Sequence, residues 1–183
     1  MVEHGIVILD YGSQYTQLIA RRIRGMRVYS QIFTPTTPET EVFESNPRGL
    51  VLSGGPSSVF GADAPVLPDW FDRCEIPVLG ICYGMQLIAQ RAGAVVEPSP
   101  VGEYGHTTIQ IRSAEGLFDG IPDELNVWMS HGDKIHDIPK GMSITAASDD
   151  CPVAAFSFPS QKHYGVQFHP EVRHTSRGDK ILE

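Results

Sequence analysis

The chain has 183 residues, of which 41% are hydrophobic and 20% charged, with a formal net charge of −8. That composition suits one soluble globular domain with a sizeable core. The acidic balance argues against a surface that binds nucleic-acid phosphates, and no apolar run approaches the ~20 residues of a membrane span. Cys74, Cys82 and Cys151 form neither an even framework nor a C-x-x-C pair, so free thiols in a reducing, cytosolic setting fit best.

The N-terminus, Met1 to Gly5, leads straight into a strand without a basic or signal-type segment. Ile6-Val7-Ile8-Leu9 reads as a strand buried on both faces. Asp10-Tyr11-Gly12-Ser13 ends it, with Ser13 as N-cap of the next helix. In that helix Tyr15, Leu18, Ile19 and Ile23 share a face, and Gln14, Gln17, Arg21 and Arg22 point away. The basic run Arg21-Arg22-Ile23-Arg24 reads as a solvated helix face. A strand follows over 28–33, a loop over 34–38, a short helix over 39–45 and a strand at Leu50-Val51-Leu52 that ends in Ser53-Gly54-Gly55-Pro56. Another short helix is expected over 66–73. Strand and helix alternate, which predicts an α/β fold: a doubly wound, mostly parallel sheet with right-handed crossovers. Asp10-Tyr11-Gly12, Gly54-Gly55 and Cys82 all fall at strand ends, where sites in such sheets lie.

Pro77 to Ala89 is the stretch the rest serves. Val78, Leu79 and Ile81 make a short buried strand, and from Met85 the pattern turns helical until Gly93. Gly80 and Gly84 flank Cys82 in a G-x-nucleophile-x-G elbow with sulfur in place of oxygen. A helix N-terminus and a nearby histidine are the usual means of favouring a thiolate. The same residues also fit a buried structural cysteine. Gly54-Gly55 is neither a phosphate loop nor a dinucleotide fingerprint. It fits half of an oxyanion hole, with the Tyr83 N–H as the other half, or merely a tight turn.

After Gly93 short β-type runs appear at 94–96, 107–111, 127–129, 144–147, 153–158 and 164–168. They predict added antiparallel strands that continue the main sheet and form a small side sheet. The last run closes on Phe168-His169-Pro170-Glu171. On an extended segment His169 and Glu171 point the same way, and Pro170 ends the strand. A histidine oriented by a carboxylate is what a thiol nucleophile needs. Neither residue alone would mean much; together with the elbow they point to nucleophilic catalysis.

Gly80-Ile81-Cys82-Tyr83-Gly84-Met85-Gln86 and Gly165-Val166-Gln167-Phe168-His169-Pro170-Glu171 resemble the class I, triad-type glutamine amidotransferases, and the match extends over essentially the whole chain. Asp10 to Gln17, Tyr83, Trp128 to Asp133 and Val172 to Thr175 narrow it to the branch that serves XMP amination. The resemblance implies that Cys82 attacks the amide of L-glutamine, His169 activates the thiol, and Glu171 orients His169. It also implies that Gly55 and Tyr83 supply the oxyanion hole, and that Gly54, Gln86 and the turn Ser130-His131-Gly132-Asp133 hold the substrate. It further implies that ammonia passes to an ATP-pyrophosphatase, XMP-amination domain or subunit. No Ser-Gly-Gly-Val-Asp-Ser-type loop for that second step occurs in the sequence. ATP and Mg2+ are expected there, and no cofactor or metal in this domain. None of His4, His106, His131, His136, His163, His169 and His174 lies in a metal-binding motif. The expectation is a single amidotransferase domain over 1–183, either excised from a two-domain synthetase or a separate subunit. The stop inside a final helix favours the former. Other readings remain: an amidotransferase for anthranilate, CTP or carbamoyl phosphate synthesis, a free-standing γ-glutamyl cysteine hydrolase, or a non-catalytic flavodoxin-like binding module. Glu103-Tyr104-Gly105-His106 is a candidate element of the docking or substrate side.

Overall fold

In a computed structural model describing residues 4–114 and 116–183, the apolar runs pair into one nine-stranded sheet. In chain order the elements are β1 (Gly5–Leu9), α1 (Thr16–Gly25), β2 (Tyr29–Phe33), α2 (Glu39–Val42), β3 (Gly49–Leu52), β4 (Val78–Ile81), α3 (Tyr83–Arg91), β5 (Val95–Ile111), β6 (Glu124–Asp137), β7 (Ser143–Ala147), β8 (Ala155–Phe158), β9 (His163–Val166) and α4 (Gly178–Leu182). The strand order is β2-β1-β3-β4-β9-β8-β7-β5-β6. The first five are parallel to one another and the rest antiparallel, as the hydrophobic pattern predicts. Met1 to Glu3 lie outside the described residues.

The sheet is covered on both faces, which is why the inner strands β1, β3 and β4 carry only apolar residues and glycine. Ile8, Val51 and Ile81 face one layer with Ile19, Ala20 and Ile23 of α1 and Ile181 of α4. Val7, Leu9, Leu50, Leu52 and Val78 face the other, against Met85, Leu87 and Ile88 of α3 and the buried pair Trp70 and Phe71.

Four elements differ from expectation. The helix expected over 66–73 shrinks to a 3-10 turn at Phe71–Arg73. Pro65 and Pro68 lack the N–H groups a helix needs and bias the residues before them away from helical backbone. Ser13 does not cap α1: its hydroxyl accepts the Tyr15 N–H at 3.0 Å, two residues ahead of the N-cap position at Tyr15, and α1 starts at Thr16. The runs at 94–96 and 107–111 are one strand, β5, interrupted by a register shift between Pro98 and Glu103. The prolines of that interruption hide its continuity from a propensity reading. No separate side sheet forms among the described residues. The β5–β6 hairpin stays in the main sheet, and the Val95–Pro98 end of β5 pairs with the Asp133–Asp137 end of β6.

Candidate active site

Cys82 sits at the break between β4 and α3 with φ 52° and ψ −107°. A non-glycine residue reaches that region only where its surroundings hold it there. Two hydrogen bonds do so. The Cys82 N–H donates to the Val166 carbonyl on β9 at 2.8 Å, and the Gly84 N–H donates to the Ser53 carbonyl at 3.1 Å. Both flanking glycines are packed against main chain. A Cβ on Gly84 would fall 2.4 Å from the Leu52 oxygen, and one on Gly80 would fall 2.6 Å from the Gly84 carbonyl carbon. The elbow therefore lies directly on the end of β3.

His169 and Glu171 reach the thiol from the other direction, but not by strand alternation. β9 ends at Val166, so both lie in the loop beyond it. Tertiary hydrogen bonds orient them instead. The His169 N–H donates to the Trp128 carbonyl at 3.0 Å. His169 Nδ1 meets Glu171 Oε1 at 2.7 Å, with both side chains buried. Because the carboxylate only accepts, Nδ1 carries the proton and Nε2 is left for the sulfur. Burial by itself lowers the His169 pKa, but hydrogen bonding to Cys82 and then to Glu171, with their charges, raises it to about 10. The ring of Tyr15 stands edge-on to the imidazole at 5.2 Å. Arg22, read from the sequence as facing away, is half-buried and donates from Nε to the Glu171 carbonyl at 3.0 Å.

In front of Cys82 lies a cavity of about 270 Å3. Its walls include Gly55, Tyr83, Gln86, Ser130, His131, Gly132 and Asp133, all expected from the sequence, and also Pro56, Ser57, Ser58 and Tyr104. The Ser130–Asp133 stretch is the middle of β6 rather than a turn. The Ser130 carbonyl accepts the Cys82 thiol at 3.5 Å. Gln86 is tied down, donating from Nε2 to the Asp133 carbonyl at 3.0 Å and to Gln167 Oε1 at 3.2 Å. Gly54 is not among the wall residues. It packs under the pair, where a Cβ would come 3.0 Å from His169 Cε1 and 3.6 Å from Cys82 Cβ. Gly55 packs so tightly that a Cβ would come 2.5 Å from the Tyr11 carbonyl oxygen, so the strand ends of β1, β3 and β4 do converge. Tyr104 is 72% exposed at the mouth. The sequence singles it out only by its place near a turn. Ser57 and Ser58 carry no separable signal in a Gly-Pro-Ser-rich loop.

His131 lines the cavity, but its side chain is turned into the protein. Nδ1 bonds the Asp133 carbonyl at 3.0 Å and Nε2 faces Glu103 Oε2 at 3.3 Å. With Cys151 these two form a group whose donor atoms lie within 4.8 Å of one another. Burial pushes the Cys151 thiol up to about 12, with Glu103 adding to the effect. The other Glu103 oxygen is taken by Thr107 at 2.7 Å.

A thiol on a strand-to-helix elbow, an imidazole–carboxylate pair beside it and a doubly wound sheet beneath define a class. The chain belongs to the class-I glutamine amidotransferase family, whose profile matches residues 7–183. It is 48% identical to the GMP synthase [glutamine-hydrolyzing] of Syntrophomonas wolfei over 182 residues, covering 100% of this chain and 36% of that protein. It is equally 48% identical to the protein of that name from Thermosipho africanus, covering 97% of this chain and 34% of the relative. The chain thus spans about a third of the length of these relatives. Among solved structures, a Thermoplasma acidophilum protein described as a candidate component of GMP synthase superposes with a TM-score of 0.86 at 31% identity, covering 98% of this chain and 90% of that one. A Thermotoga maritima glutamine amidotransferase shares the fold, with a TM-score of 0.71 at 23% identity, over 93% of this chain and 77% of its own. The narrower resemblance drawn from Asp10 to Gln17 and Trp128 to Asp133, to the glutaminase part of GMP synthase, agrees with these relatives. Among the described residues no helix is long and apolar enough to cross a membrane.

Proposed function

We propose that this domain hydrolyses L-glutamine through Cys82, His169 and Glu171 and delivers the ammonia to an ATP-dependent unit that aminates XMP to GMP. The observation that carries the reading is His169, bonded through Nδ1 to Glu171 at 2.7 Å and interacting directly with Cys82 on its elbow. His169 Nε2 already holds the proton drawn from Cys82 when the sulfur attacks the side-chain carbonyl carbon of glutamine. The negative oxygen that forms is held by the N–H groups of Gly55 and Tyr83. Losing one such donor typically costs ~2.7–4 kcal/mol of transition-state stabilisation. Collapse breaks the C–N bond, His169 returns the proton to the departing nitrogen, and ammonia leaves a γ-glutamyl thioester. Water, deprotonated by His169, then attacks the thioester, releasing glutamate and restoring the thiol. Gln86 and the Ser130–Asp133 strand shape the pocket for the amino-acid end of the substrate. ATP and Mg2+ act in the partner unit. Three free cysteines fit a cytosolic setting.

The test is labelling with a glutamine analogue bearing an electrophilic ketone, followed by mass mapping. Modification confined to Cys82 and blocked by glutamine is expected. Cys82→Ala should lower turnover by ~10⁴-fold or more, and unchanged hydrolysis would remove the mechanism. Adding the XMP-dependent synthetase with its nucleotides should accelerate glutaminase turnover. Equal, fast rates without it would favour a free-standing hydrolase.

A further inference from the structure

Three hydrogen bonds close a ring around His169. The His169 N–H donates to the Trp128 carbonyl at 3.0 Å. The Trp128 N–H donates to Thr175 Oγ1 at 3.0 Å. Thr175 Oγ1 in turn donates to the His169 carbonyl at 2.6 Å. One oxygen atom thus accepts from β6 and donates to the loop, a double role that a hydroxyl fills at this short reach. Thr175 is buried and is not part of the cavity wall. Its own N–H bonds the Val172 carbonyl at 3.2 Å, and the next N–H, of Ser176, bonds the Asn126 carbonyl at 2.9 Å, so the ring is anchored at both sides to fixed main chain. From α1, Arg22 holds the other member of the pair through the Glu171 carbonyl.

We propose that Thr175 is a positioning residue for His169: it never touches glutamine, and it sets where the imidazole stands relative to the Cys82 sulfur. The proposal rests on the reading of His169 as the base for Cys82. His169 and Glu171 sit beyond the end of β9, so no sheet ladder fixes them. The ring does that work on both the N–H and the carbonyl of His169. Reacting groups must stand about 3–3.5 Å apart, and a displacement of ~1 Å can cost ~10²-fold in rate. Valine has the shape of threonine but neither donor nor acceptor, so it would leave the Trp128 N–H and the His169 carbonyl unpaired. Serine keeps both functions.

The experiment compares wild type, Thr175→Val and Thr175→Ser in this chain. It measures kcat and KM for glutamine, and the pH profile of Cys82 alkylation by iodoacetamide with the modified residue mapped. Thr175→Val should lower kcat by ~10²-fold with KM within about twofold, slow Cys82 alkylation at neutral pH, and move its profile to higher pH. Thr175→Ser should restore all three. If Thr175→Val lowers only the thermal unfolding midpoint and leaves kcat and the alkylation profile at wild-type values, Thr175 is a stability residue and the proposal fails. Should Thr175→Val not fold, Thr175→Ala makes the same comparison against Thr175→Ser, and equal profiles for those two likewise overturn it. If Cys82→Ala retains full hydrolysis, the underlying reading falls, and this one with it. If wild-type Cys82 reacts as expected and the Thr175 variants match it, only the role of Thr175 falls.

Discussion

Glu171 is a fully buried carboxylate whose side chain pairs, among the described residues, with the His169 ring. That pairing, with the bond to Cys82, outweighs the burial that would otherwise lower the imidazole and holds its pKa at about 10. In the unfolded chain the same ring titrates near ~6.5. Between these values the folded chain keeps a proton that the unfolded chain has lost, so stability falls as pH rises through the window. The contribution is fully present below the unfolded value. Glu171→Gln keeps an acceptor and removes the charge. Its urea midpoint should therefore fall less steeply than that of wild type between pH 7 and 10, and parallel slopes would contradict this account. At this scale the side chains proposed to react are legible in the sequence, because Gly80-x-Cys82-x-Gly84 and His169-x-Glu171 are local patterns. What orients them is not. The bonds from Trp128, Thr175 and Arg22 join residues far apart in sequence, and a threonine or an arginine on a helix carries no mark of a partner across the fold.

The elbow shows how an element can override intrinsic preference. Gly84 lies inside α3, where alanine is normally favoured by about 1 kcal/mol. Here the added methyl carbon would sit 2.4 Å from the Leu52 oxygen and 2.5 Å from its Cβ. Overpacking of that kind costs typically ~1–3 kcal/mol and involves main chain that cannot rotate away. The clash wins, so Gly84→Ala should lower the thermal unfolding midpoint although it improves helix propensity. A raised midpoint would mean that α3 can slide off β3 freely. Such contacts explain which elements can be read in advance. β1, β3, β4 and α3 have strong periodicity and clean glycine or proline boundaries, and they appear where expected. The helix over 66–73 fails because buried Trp70 and Phe71 give an apolar signal that Pro65 and Pro68 prevent from becoming helical. β5 reads as fragments because its middle holds Pro98, Pro100 and Gly102 in a bulged stretch.

For the whole molecule the decisive feature is the place of β9. Local pattern identifies it as a strand but cannot show that it lies between β4 and β8, since pairing of distant segments leaves no trace in either one. It joins the parallel half to the antiparallel half. A fragment ending before His163 should therefore lack cooperative unfolding by circular dichroism, although it retains most of the helices and eight of the nine strands. A sharp transition in that fragment would show that the two halves can stand apart.

The N–H of Cys82 is bonded to Val166 on that same β9. During synthesis the thiol leaves the ribosome long before the segment that locks its backbone and the histidine that stands beside it. A nascent chain therefore carries Cys82 without its elbow geometry or its imidazole neighbour until the polypeptide has threaded its late strand into the middle of the sheet.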